Sequence, residues 1–145
     1  MYKKILVPLD GSQLAERALD PAEKLAQFFG SEIVLLQVIP FMPIYGAPEL
    51  VTPLVVDEKH RESAERYLAA LAEKLKAKGL QVSATVRTGQ HVAGEILDFA
   101  KASAADLIVM NTHGRSGISR WFLGSVTLKV LSRSETPVLL IRSKP

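Results

Sequence analysis

The sequence predicts an α/β domain: an open, mostly parallel five-stranded sheet with helices on both faces. Three observations carry this expectation. Four apolar runs, Ile5 to Leu9, Ile33 to Ile39, Leu107 to Met110 and Pro137 to Ile141, lack the strict alternation of a half-exposed strand, as strands covered on both faces do. A fifth run, Leu80 to Val86, alternates apolar and polar residues and reads as an edge or one-sided strand. Stretches with apolar residues at helical spacing separate successive runs, so strand and helix alternate as in parallel βαβ units.

The elements follow in order. Pro8 removes a ladder donor near the end of the first strand, and Asp10-Gly11-Ser12 turns the chain. Ser12 then caps a helix carrying Leu14, Ala15, Ala18, Leu25, Ala26 and Phe29 at near-helical spacing. Pro21 falls inside that pattern, which predicts a kink, or a restart with Asp20 as cap and Pro21 in the first turn; Gly30 ends the helix. After the second strand, the segment Pro40 to Pro53 holds four prolines and one glycine, which rule out a stable helix or central strand. A lid, a dimer contact and a disordered connection all fit it, and sequence does not rank them. From Asp57 to Lys78, Ala64, Tyr67, Leu68, Leu71 and Leu75 share one face opposite Glu and Lys, and Gly79 closes the helix. Gly89 and Gln90 lead into an amphipathic helix with Val92, Ala93, Ile96, Leu97, Phe99 and Ala100 inward. The last helix starts at Ser125, with Val126, Leu128, Val130 and Leu131 as its apolar residues.

Composition narrows the function classes. The 145 residues fit one domain, residues 1–145, with a core large enough to need no staples. Hydrophobic residues make up 48% and charged residues 23%, the composition of a globular chain rather than a disordered one. The formal charge of +3 comes from Lys and Arg scattered along the chain, which argues for solubility and against a nucleic-acid footprint. With no cysteine, a disulfide framework and a thiolate metal site are both excluded. The basic pair Lys3-Lys4 precedes an apolar run too short for a signal peptide or a membrane span, so a cytoplasmic protein without a membrane partner is expected.

Chemistry concentrates between Asp106 and Leu131. A buried strand, a loop containing Gly114, Gly117 and Gly124, and a helix N-terminus together make an anion site, because free N–H groups and the positive dipole end face the ligand. In a parallel sheet, ligands bind beyond the carboxyl ends of strands where the order reverses. Only the first and fourth strands end in glycine and polar residues, which predicts that they are neighbours flanking that crevice. His113 suits either a phosphate hydrogen bond or a loop cap. No histidine or carboxylate near it in sequence supports a metal site centred there. His60 and His91 read as surface residues. Arg115 and Arg120 are placed to steer anions, though Arg120 reads first as an ordinary loop arginine, and Trp121 and Phe122 as core or loop anchors.

The residues Ile5-Leu6-Val7-Pro8-Leu9-Asp10-Gly11-Ser12, and above all Thr112-His113-Gly114-Arg115-Ser116-Gly117 followed by Leu123-Gly124-Ser125-Val126-Thr127, resemble the universal stress protein family along the whole chain. The resemblance implies a Rossmann-like fold of the adenine nucleotide alpha hydrolase type. Members that bind ATP share a loop of the form Gly, two residues, Gly, nine residues, Gly, then Ser or Thr. Here that spacing runs from Asn111 through Gly114 to Gly124-Ser125, with asparagine in place of the first glycine. By resemblance, Asp10 contacts the adenosine and assists a divalent ion, Mg2+ or Mn2+, with Pro8 and Leu9 as pocket wall. Val38 offers backbone groups to the adenine edge. Met110, Asn111, His113 and Gly114, with Arg115 beside them, line the ribose and first phosphates, while Gly124, Ser125, Val126 and Thr127 hold the outer phosphates. The resemblance also implies a homodimer through Val138 to Ile141 and a role as a nucleotide-binding regulator or sensor.

Three function classes follow. The first is a dimeric module that binds ATP, ADP or AMP and has no catalytic residues. The second is a slow ATP hydrolase, against which stands the absence of a Gly-x-x-x-x-Gly-Lys-Ser/Thr loop. The third is an interaction domain of the same fold in which Asn111 blocks the pocket.

Overall fold

The computed structural model describes residues 1–40, 53–113 and 123–142. Among them, β1 (Lys4–Leu9), β2 (Glu32–Pro40), β3 (Gln81–Gly89), β4 (Leu107–Asn111) and β5 (Val138–Ile141) form one parallel sheet in the order β3-β2-β1-β4-β5. The expected neighbours β1 and β4 are paired, and β3 and β5 form the two edges. Strand side chains alternate between two cores. Ile5, Val7, Leu9, Ile33, Leu35, Leu107 and Val109 meet α1 (Gln13–Glu16), α2 (Leu19–Phe29) and α3 (Pro53–Lys76). Leu6, Val34, Leu36, Val38, Ile108 and Met110 meet α4 (Val92–Ala102) and α5 (Ser125–Arg133). Burial on both faces is why the central strands carry unbroken apolar runs.

Where the chain departs from expectation, the reason is local. The first helical pattern is two helices: α1 ends at Glu16, and α2 restarts at Leu19 with Ala18 as an N-cap that makes no side-chain bond, so Asp20 is not the cap. Pro21 lies in the first turn of α2, where its missing N–H has no helical acceptor to serve. Its ring would crowd the carbonyl four residues back, that of Arg17, and the break falls there. Gly30 ends α2 at φ 69°, a left-handed cap that glycine adopts without strain. The α3 helix begins at Pro53 rather than Asp57, and β3 runs on to Gly89. Residues 41–52 of the proline-rich connection lie outside the described residues. On α5 the inward stripe is Thr127 and Val130, three residues apart, which leaves Leu128 52% and Leu131 43% exposed. The apolar pattern had included both leucines.

Candidate functional site

The crevice is a split in the sheet. β1 pairs with β2 as far as Leu9, but with β4 only at Ile5–Leu107 and Leu6–Ile108. β4 instead keeps its ladder with β5 through Asn111, and Thr112 N donates to Ile141 O at 3.0 Å. Beyond Leu6 the two central strands therefore part, and Pro8, which has no N–H to donate, lies beside the gap. The strand order also reverses here: the chain steps outward from β1 to β2 and β3, then returns to β4 on the other side of β1.

A cavity of about 270 Å³ occupies the split. Of the residues singled out by sequence, Pro8, Leu9, Asp10, Met110, Asn111, His113, Gly124, Ser125, Val126 and Thr127 line it. Ala15, Val92 and Ile96 line it as well. Sequence reasoning missed these three as site residues, because inward positions of α1 and α4 carry no local mark of facing a cavity rather than a packed strand. Val38 is not in the lining: its side chain is 8% exposed and packs in the core beneath α4 and α5. The β1–β2 pairing ends at Gln37, so Val38 lies one residue past the end of β1. Gly114, Arg115, Gly117, Arg120, Trp121 and Phe122 lie outside the described residues.

The β1 side is a rigid turn. Asp10 Oδ1 accepts from Ser12 N at 2.9 Å and from Ser12 Oγ at 2.6 Å, while Gly11 takes φ 84°. Ser12 Oγ in turn accepts from Ala15 N at 3.1 Å and caps α1. One oxygen of Asp10 is thus occupied in holding the turn. Farther out, the Tyr67 hydroxyl of α3 donates to Glu16 Oε1 at 2.9 Å. Burial, that bond, and the charges of Glu16 and Asp10 together raise the Tyr67 pKa well above the ordinary tyrosine value. Asp10 therefore acts electrostatically on the α1–α3 contact as well as on the cavity.

The opposite side presents the start of α5 to the cavity. The first intrahelical bond of α5 runs from Leu128 N to Gly124 O, so the N–H groups of Ser125, Val126 and Thr127 precede the ladder at the positive end of the dipole. No acidic residue occupies the first turn to neutralise them. His113 faces the same cavity: Thr112 Oγ1 holds its Nδ1 at 3.0 Å, and its buried Nε2 has no hydrogen-bond partner among the described residues. Two donors expected to serve the ligand are engaged elsewhere. Gly124 N donates to Thr112 O at 2.9 Å, and Thr127 Oγ1 donates to Asn111 O at 3.1 Å, tying the end of β4 to the start of α5. The Asn111 carboxamide turns toward α1, donating to Leu14 O and accepting from Thr112 N at 2.9 Å. Among the described residues no group of three His, Asp or Glu is placed to hold a metal ion.

A parallel sheet split at its switch point, with apolar walls and a helix N-terminus facing the gap, defines the chain as a doubly wound α/β domain with a crevice at that point. The model of the universal stress protein family matches residues 1–142, and the chain belongs to that family. It is 32% identical over 142 residues to the universal stress protein MJ0531 of Methanocaldococcus jannaschii, covering 98% of this chain and 83% of that protein. The solved structure of MJ0577 from the same organism superposes with a TM-score of 0.88 at 32% identity, covering 100% of this chain and 99% of the other. Two further neighbours of the fold, at 24% and 22% identity, are universal stress proteins solved in complex with cAMP and dAMP, with TM-scores of 0.70 and 0.65 over 99% and 97% of this chain and 98% of each of theirs. At those identities the likeness carries the fold.

Proposed function

We propose that the cavity binds an adenine nucleotide, ATP first and ADP or AMP by the same contacts, and that the protein is a nucleotide-responsive regulator of the stress response. The observation that carries this reading is the pairing, on one cavity, of three amides at the start of α5 with the buried Nε2 of His113, which has no partner among the described residues. An unsatisfied buried donor or acceptor is costly, by about 1–3 kcal/mol, and an oxygen-rich anionic ligand relieves it. The walls made by Pro8, Val92, Ile96, Met110 and Val126 are apolar and suit a base. Arg115 and Gly114 belong to the same reading through the family loop.

A divalent ion fits only as a companion of the nucleotide, since Asp10 is the one carboxylate among the described lining residues. The cytoplasmic placement stays part of the reading; no helix among the described residues is long and apolar enough to cross a membrane. The homodimer through Val138 to Ile141 is supported by the edge position of β5 and by the 37% exposure of Leu139. Replacing Leu139 with lysine is expected to convert a sedimenting dimer to monomer. Regarding the blocked-pocket alternative, the Asn111 carboxamide bonds to Leu14 and Thr112, which favours the nucleotide reading. Calorimetric titration with ATP and magnesium tests it: saturable binding is expected, and no heat at millimolar ATP removes the proposal.

A further inference from the structure

We propose that Asn111 is a positioning residue: its carboxamide straps α1 to the end of β4 across the split and so sets one wall of the nucleotide cavity. The α1 helix has four residues, too few to hold itself, and follows β1, whereas Asn111 ends β4. Those two strands share no paired positions beyond Leu6–Ile108, so the sheet ladder does not fix α1 relative to the far side of the crevice. Asn111 Nδ2 supplies that tie by donating to Leu14 O, one residue before Ala15, which lines the cavity. Its Oδ1 accepts from Thr112 N at 2.9 Å, so both ends of the carboxamide are used and its rotamer is set. The residue is 5% exposed, and its own carbonyl receives the Thr127 hydroxyl. One side chain thus joins α1 and the β4 end, while its backbone joins α5. The family's glycine has no group to make the first of these ties.

The affinity arm of the test rests on the nucleotide reading above; the second arm does not. Asn111→Gly and Asn111→Ala are compared with the native protein by titration with ATP and magnesium, at a temperature where thermal melts show all three folded. Loss of the strap lets α1 sample positions that do not complete the pocket, and apparent affinity falls by the fraction that remains competent. Both variants are expected to bind about tenfold more weakly, ~1.4 kcal/mol. Alanine and glycine should fall together, because the carboxamide is what acts, not the Cβ. Amide exchange at residues 13–17, measured without nucleotide, should quicken about tenfold in both while α3 and β2 stay protected. If Asn111→Gly binds ATP as tightly as the native chain or more tightly, or if exchange in α1 is unchanged, the strap is wrong. If the native protein binds no ATP, the functional reading fails and the exchange arm alone decides. Should the glycine variant not fold, the alanine variant carries both arms.

Discussion

Gly124 ties the start of α5 to the end of β4, its N–H donating to Thr112 O at 2.9 Å. A Cβ built there would lie 3.4 Å from Thr112 O, 3.8 Å from Thr127 Oγ1 and 3.9 Å from His113 Cα. With φ at −57°, a side chain is not refused by the backbone itself. Alanine therefore makes ordinary contacts and is expected to change stability by no more than ~0.5 kcal/mol, as a mild substitution does. Valine differs, because its two γ-carbons extend a further bond length toward the carbonyl of Thr112 and the buried hydroxyl of Thr127. Two of the three nearest atoms are backbone and cannot rotate away, so the β4 end must shift from α5. Overpacking of this kind costs about 1–3 kcal/mol. For a chain of 145 residues that is a fall in Tm of roughly 3–10 °C. The shift also separates His113 Nε2 from the amides of Ser125 and Val126, and losing one charge-assisted bond to phosphate weakens ATP by about ten- to hundredfold. Thermal melts and ATP titrations on the native, Gly124→Ala and Gly124→Val proteins check both numbers. A valine variant with native Tm and native affinity would refute the reasoning that these two segments jointly form the anion site.

Ser12→Ala removes the cap of α1 and the hydroxyl that donates to Asp10, and should lower stability by about 1 kcal/mol in denaturant melts. Tyr67 gives a pH signature. Its folded pKa is raised, so its contribution is fully present below the ordinary tyrosine value and is lost as pH climbs above about 10 toward the folded value. Native stability should therefore fall with a steeper slope above pH 10 than that of Tyr67→Phe. The phenylalanine variant should be less stable at neutral pH by about 1 kcal/mol, and identical slopes would show that the bond to Glu16 contributes nothing.

Much of the fold was legible because burial on both faces leaves its mark residue by residue. Ile5 to Leu9 and Leu107 to Met110 cannot be apolar throughout unless helices cover each side of them. The punctuation was legible for a similar reason, since Gly30 and Gly79 occupy positive φ at the ends of their helical stretches. Pro21 signalled a break, but placing it required knowing which carbonyl its ring meets. Leu128 and Leu131 satisfied the helical pattern yet face outward, because hydrophobic spacing alone does not choose between two adjacent stripes of α5.

The site divides along the same line. By itself the sequence determined the strand-loop-helix order, the residues at the ends of β1 and β4, and the family, all of which are encoded in consecutive positions. Only the tertiary structure decided that β1 and β4 separate after Leu6, that Ala15, Val92 and Ile96 wall the gap, and that Val38 turns into the core. It also decided which polar groups are already engaged: Gly124 N and the Thr127 hydroxyl are bonded within the protein, whereas His113 Nε2 has no partner among the described residues. Hydrogen-bond partners 97 residues apart, as Asn111 and Leu14 are, are set by how layers pack, and no local pattern records them.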